Sequence, residues 1–256
     1  MRRAISDSAS TIAPAVTSTQ LPPPLHIDAP PSRGRGSLII VSSPSGAGKT
    51  TLTRRLLHEF PTTDFSVSYT TRPRRAGEID GVHYHFVEPD HFERMLANHE
   101  LAESFMVHGN RYGTARAPID AAIARGRDMI FDVDFQGARA LAQQWPADSI
   151  RIFILPPDLD TLASRLKTRA TDAPDVIARR LAKAIEELRQ FEEYDHLVIN
   201  REIEPAYELL RAIYLTRRYG TADRADVPLP LGAMWARVEA NRASDPAAHA
   251  RTLVGA

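Results

Sequence analysis

Apolar residues recur along the chain in a fixed order. Leu38-Ile39-Ile40-Val41 is a short, wholly apolar run that ends in a stretch rich in serine and glycine. Lys49 to Phe60 follows, with Leu52, Leu56 and Leu57 at helical spacing, which predicts strand, loop, helix. The order returns with Asp128 to Val133 before Phe135 to Trp145, and with Ile150 to Leu155 before Asp158 to Lys167. It returns again with His196 to Ile199 before a helix around Pro205 to Tyr219. Strands apolar on both faces and separated by helices predict a parallel sheet covered on each side, hence an α/β fold.

Residues 65–125 break the rhythm. Short extended segments at Ser66 to Thr70 and His83 to Val87 precede a helix near Pro89 to Asn98, and another extended piece lies near Leu101 to Val107. This pattern predicts a small α+β lobe, 68–125, inserted between two strands of the main sheet. A helix over Asp175 to Tyr194 carries Ile177, Leu181, Ala184, Leu188 and Phe191 as an apolar stripe. Its acids Glu186, Glu187, Glu192 and Glu193 read as a solvated face. Residues 220–256 are an extension of unassigned role, with a short helix expected around Trp235.

The ends of the chain differ in composition from its middle. Residues 1–36 are Ser, Thr, Ala and Pro with few apolar clusters, and such a segment cannot bury enough apolar area to offset its ordering entropy. It reads as a disordered extension before a domain at 37–219. Arg2, Arg3 and the serines resemble a transit peptide, while Asp7, Asp28 and the prolines count against an amphipathic helix there. Across all 256 residues, 32 Lys and Arg balance 32 Asp and Glu, so no net charge draws the chain to nucleic acid or to an acidic membrane. No apolar stretch is long enough to cross a bilayer. Zero cysteines remove disulfides, thiol nucleophiles and thiolate zinc sites, and suit a reducing compartment, with the cytoplasm as the default location. The oligomeric state is not set by these features.

The chemistry starts at Ser43-Pro44-Ser45-Gly46-Ala47-Gly48-Lys49-Thr50. Glycines let consecutive amides curl around phosphate oxygens, the helix N-terminus adds its dipole, Lys49 reaches terminal phosphates and the Thr50 hydroxyl can hold Mg²⁺. The strict pattern has Gly where Ser43 stands, but the strand-loop-helix setting is complete. A nucleoside triphosphate is the expected ligand. His83 and His85 could face one way on a strand; no third metal ligand lies nearby, so they read as structural.

The lobe narrows the reading. Ser68-Tyr69-Thr70-Thr71-Arg72-Pro73-Arg74-Arg75-Ala76-Gly77-Glu78, Gly81-Val82-His83-Tyr84, Glu103, Gly109 to Thr114 and Phe131 to Gly137 together resemble guanylate kinase, from about Ser37 to Tyr219. The resemblance implies ATP and GMP as substrates and Mg²⁺ as cofactor. It implies a phosphate site for GMP at Arg72, Arg75, Tyr84 and Tyr112, where arginine forks and phenols supply donors to a dianion. It implies guanine readers at Glu103 and Asp134, with hydroxyls from Ser68 and Thr114 beside O6. ATP would lie on Ser45, Gly46, Ala47, Gly48, Lys49, Thr50 and Thr51, with Asn200 at the adenine. Mg²⁺ would be held by Thr50 and, through water, by Asp132. An arginine-rich helical lid at 165–180 would bring Arg165, Arg169 and Arg180 with Lys49 to the transferring phosphoryl group. Thr114 stands where Ser is common, Ala170 where Gly is usual, and Pro174 falls in a normally acidic stretch.

Two other readings are open to the residues. A kinase of the same fold acting on a sugar phosphate would not need Glu103 and Asp134. A peptide-binding module without catalysis would not need Lys49 and Thr50.

Overall fold

The computed structural model describes residues 21–107, 109–168 and 174–255. β1 (Leu38–Ser42), β2 (Asp64–Phe65), β7 (Met129–Asp132), β8 (Ser149–Leu155) and β9 (His196–Ile199) form a parallel sheet in the order β2-β7-β1-β8-β9. β1 is its buried centre. Leu38 and Ile40 point to one face and Ile39 and Val41 to the other, as the two-residue period of a strand requires.

On the Ile39 side lie α1 (Lys49–Glu59), α7 (Ile203–Tyr219) and α8 (Leu231–Ala243), through Leu52, Leu56, Leu210, Ile213, Leu231 and Val238. On the Leu38 side lie α3 (Arg116–Ala124), α4 (Phe135–Gln144) and α9 (Pro246–Val254), through Ile119, Ile123, Leu141, Ala250 and Leu253. The layers are thus helix, sheet, helix. α5 (Leu159–Thr168) and α6 (Pro174–Leu188) form a hairpin that holds itself together through Leu162, Leu166, Leu181 and Ala184. Pro174 opens α6, a position where a missing amide costs nothing.

The inserted lobe is a second sheet, β4-β3-β6-β5, made of β3 (Tyr69–Thr70), β4 (His85–Phe86), β5 (Leu101–Val107) and β6 (Asn110–Ala115), with α2 (Pro89–Ala97) beside it. Its boundary differs from the expected 68–125. The sheet ends at Ala115, and α3 belongs to the main core because Ile119, Ala122 and Ile123 are buried with Leu38, Ile40 and Phe131.

Two further expectations are corrected. Of the segment read as disordered, residues 1–20 lie outside the described residues, but 21–36 lie along the domain. Ala29 is buried in the core, Leu25 and Ile27 pack against it, and the Leu25 amide donates to the Glu59 carbonyl at 2.6 Å. Arg35 pairs with the buried Asp148 at 2.7 Å. The 220–256 extension is likewise part of the fold, as the two helices α8 and α9 rather than a single short one.

Candidate active site

In a parallel sheet all strand C-termini point to one edge, and ligands meet such sheets where the chain changes its direction of travel across them. Here the change falls at β1, with β7 on one side and β8 on the other. The loop after β1 enters α1 with Gly46 at φ 91° and Gly48 at φ 100°, angles open to glycine and strained for other residues. α1 has no side-chain cap and no acid in its first turn, which leaves its leading amides and positive dipole end for an anion.

Neighbouring strand ends hold this loop. Asn200, just past β9, is buried and donates its side-chain amide to the Ala47 carbonyl at 2.7 Å. A Cβ on Gly48 would sit 2.2 Å from the same amide nitrogen, so glycine there is also a packing requirement. Asn200, the residue expected at the adenine, thus holds the loop from beneath through one of its side-chain N–H groups. Lys49 donates to the Val133 carbonyl at 3.3 Å and pairs with Asp132 at the end of β7. Arg165 of α5 donates to the Gly46 carbonyl at 3.4 Å. Ser45 is exposed on the loop, and in the first turn of α1 Thr50 is exposed and Thr51 half-buried.

The lobe carries two clusters. In the first, the Arg72 guanidinium donates to Glu78 at 2.6 Å and lies 5.5 Å from the Tyr84 ring centre; the Glu78 hydrogen bond, with Tyr112 also acting on it, raises its pKa. Tyr84 and Tyr112 meet edge to face at 5.8 Å. Burial pushes the Tyr84 phenol above its ordinary pKa, and the Asp132 charge pushes it the same way, which ties this cluster to the end of β7. Arg75 contributes its backbone amide to Glu78 at 2.7 Å while its side chain is exposed.

In the second cluster, Glu103 and Thr114 stand opposite each other on β5 and β6, and the hydroxyl donates to Glu103 Oε1 at 2.5 Å. The other carboxylate oxygen, Oε2, is buried with no hydrogen-bond partner among the described residues. Burial raises the Glu103 pKa to about 7; the Thr114 hydrogen bond works against that rise, and the Asp134 charge adds to it. Asp134 caps α4, its Oδ1 accepting from the amides of Gln136 and Gly137 at 3.0 Å each. The cap fixes the orientation of this carboxylate, whose charge acts on Glu103. Ser68, half-buried, precedes β3. His83 accepts from the Ile79 amide at 2.9 Å and His85 stacks on Tyr69, so both serve the lobe's own structure.

A family model described as guanylate kinase matches residues 35–216. The chain belongs to the guanylate kinase family. It is therefore an enzyme of a nucleotide kinase class. The guanylate kinase of a Chelativorans species is 50% identical over 189 residues, covering 73% of this chain and 85% of that protein. That of Agrobacterium fabrum is 48% identical over 184 residues, covering 72% and 84%. Among solved structures, the guanylate kinase from Anaplasma phagocytophilum superposes with a TM-score of 0.58 at 27% identity, over 78% of this chain and 93% of that one. The parallel core with flanking helices agrees with that likeness.

For this guanylate kinase family member, the fold gathers the loop, Lys49, Asp132, Asn200 and Arg165 at one sheet edge, and both lobe clusters feel its acids, Tyr84 through Asp132 and Glu103 through Asp134. Arg180 is exposed on α6. Arg169 lies outside the described residues. Two acids were overlooked by sequence reasoning. Glu78 holds Arg72 and the Arg75 amide, a closure hinted at by its spacing six and three residues beyond them. Glu187, assigned above to a solvated face, is half-buried and feels both Lys49 and Asp134, with burial raising its pKa. Glu193 also leaves that solvated face, pairing with Arg139 of α4. Among the described residues, no helix is long and apolar enough to cross a membrane.

Proposed function

We propose that this enzyme transfers the γ-phosphoryl group of ATP to the phosphate of GMP, giving ADP and GDP, as a step of purine nucleotide metabolism in the cytoplasm. The observation that carries the reading is Glu103: a buried carboxylate with one oxygen tied to Thr114 and the other without a partner. An unpaired buried acceptor costs roughly 1–3 kcal/mol, so it is best explained by a ligand that donates to it. Guanine presents N1–H and N2–H₂ side by side, with O6 as the adjacent acceptor for the Thr114 or Ser68 hydroxyl. Asp134 Oδ2, which takes no part in the cap, would accept from the same 2-amino group. Adenine has no such row of donors, and a sugar phosphate needs neither carboxylate.

Arg72, Tyr84 and Tyr112 would take the GMP phosphate with Arg75, whose exposed side chain must fold inward. In the free protein Glu78 stands where an anion would, holding the Arg72 guanidinium in place. The ATP phosphates would lie on the amides of 45–51, and Lys49 would turn to them from Asp132. Asn200 acts as a positioning residue that fixes the loop's shape. Arg165 and Arg180, together with Arg169, would neutralise charge on the transferring group, while the geometry keeps donor and acceptor phosphates in line.

The oxygen donors present fit Mg²⁺: the Thr50 hydroxyl in the first turn of α1 and the Asp132 carboxylate once Lys49 leaves it. Mg²⁺ prefers oxygen ligands and commonly keeps several waters alongside one or two protein oxygens and substrate phosphates. When bound with ATP, Mg²⁺ would supply charge neutralisation on the phosphate oxygens.

The test is ADP formation from ATP with GMP, ribose phosphates or no acceptor supplied. The reading requires turnover that depends on GMP; turnover with a ribose phosphate, or none with any monophosphate, would reverse it.

A further inference from the structure

The family match ends at residue 216, yet one helix beyond it touches both ends of the α5–α6 hairpin. The hairpin leaves the main sheet after β8 at Pro156 and returns past Leu188 toward β9. His249 of α9 places Nε2 3.0 Å from the Pro156 carbonyl oxygen. A carbonyl oxygen only accepts, so Nε2 carries the proton. Ala250 and Leu253 of α9 are buried in one cluster with Leu188, Phe191 and Leu197, and Leu159, the first residue of α5, packs against it. Exit and return therefore rest on the same two turns of helix.

α9 is itself firmly made. Asp245 caps it by accepting from the Ala248 amide at 3.0 Å, Pro246 opens it, and Gly255 closes it at φ 70°. Asn241 of α8 donates to the Leu197 carbonyl at 3.0 Å, which seats the helix pair on β9. The hairpin's own core is Leu162, Leu166, Leu181 and Ala184, and Leu159 at the start of α5 packs against both that core and the cluster that holds α9.

We propose that α9 is a brace on the hinge of the lid and that His249 is a positioning residue for phosphoryl transfer. By fixing the Pro156 carbonyl it sets the axis of α5, and through it the place to which Arg165 comes. This rests on the lid reading above. It adds a device built from residues outside the family match, with its effect confined to lid placement. The GMP pocket, built on β3 to β6, lies on another part of the molecule.

The experiment compares wild type with His249→Leu, which keeps packing volume without a donor, and His249→Gln, which restores a side-chain N–H. Steady-state kcat is measured with GMP, and the GMP Kd by calorimetry without ATP. The brace predicts a kcat lowered about 3- to 10-fold in His249→Leu, the worth of one hydrogen bond, with GMP Kd unchanged and at least half the loss recovered in His249→Gln. Unchanged kcat in His249→Leu overturns it, as does a loss that Gln does not recover or that follows GMP affinity. Should the Leu variant fail to fold, His249→Asn, too short to reach the carbonyl, is read by the same criteria. Arg165→Ala is run alongside. If it retains wild-type kcat, the lid reading fails and the brace with it; if it is impaired while His249→Leu is not, the brace alone fails.

Discussion

Glu103 makes a prediction that links burial to catalysis. Its carboxyl titrates at about 7 in the free enzyme, against 4.5 in an unstructured chain, chiefly because burial disfavours the charge. Only the ionised form accepts from guanine N1–H and N2–H₂; the protonated acid turns an O–H toward them. The kcat/KM for GMP must therefore fall on the acid side with a midpoint of about 7, losing roughly tenfold at one pH unit below it. The same shift has a stability consequence of fixed sign. A folded pKa above the unfolded one means the fold binds this proton more tightly. The contribution is full below about 4.5 and is lost as pH rises through about 7, by about 3 kcal/mol in all.

Two assays test this together. The first is kcat/KM for GMP from pH 5 to 9 in wild type and Glu103→Gln. The GMP phosphate also titrates, near pH 6, and both enzymes share that limb, so only the wild-type excess near 7 belongs to Glu103. The second is urea unfolding at the same pH values, where the decline in stability between pH 5 and 8 should flatten in the Gln variant. Superimposable scaled pH–rate profiles for the two enzymes would show that Glu103 does not titrate in the working site, and the argument from its buried, unpaired oxygen would fall.

Lys49→Ala should lower kcat on the order of 10² or more while the melting temperature moves little, because the ammonium lies at the sheet edge on Asp132 rather than in the core; near-normal turnover would contradict the phosphate-loop reading. A chain beginning at Ser37 should be less stable than one beginning at Leu21 by roughly 2–4 kcal/mol in urea titrations, since Leu25, Ile27 and Ala29 would leave the core face they cover; equal stability would show that this contact contributes nothing.

What could be read from the sequence follows a physical line. β9 stands at His196–Ile199, as expected, because its apolar run is bounded on both sides by polar residues. The glycine turn between β1 and α1 is equally plain, since Gly46 and Gly48 answer a local backbone demand. Glu103 was different. Nothing in its immediate neighbours marks it, and it stood out only through the register it shares with the Arg72–Glu78 motif. Apart from Glu78, whose partners are three and six residues away, what the sequence did not announce is long-range. The Asn200 bond to Ala47 joins residues 153 positions apart, and no local pattern announces it. Residues 21–36 have a composition too poor for a core of their own, but they needed only to cover an existing one. α3 and α9 are alanine-containing segments whose buried stripes, Ile119 with Ile123 and Ala250 with Leu253, are too short to show a period until the sheet supplies the partner face. Glu187 and Glu193 looked solvated because helical spacing gives a direction and not the neighbour found there.

The central claim is that a buried carboxylate chooses the acceptor base, and the ratio of kcat/KM for GMP to that for AMP tests it most directly. A site that binds a substrate's donors rejects the analogue lacking them by about 10⁴ to 10⁵, because its own polar groups are left unpaired. The account predicts a ratio in that range for wild type, inosine monophosphate in between because it keeps N1–H and lacks the 2-amino group, and a collapse of GMP use in Glu103→Gln with ATP affinity hardly changed. A wild-type ratio near one, or a Gln variant that phosphorylates GMP as well as wild type does, would contradict it.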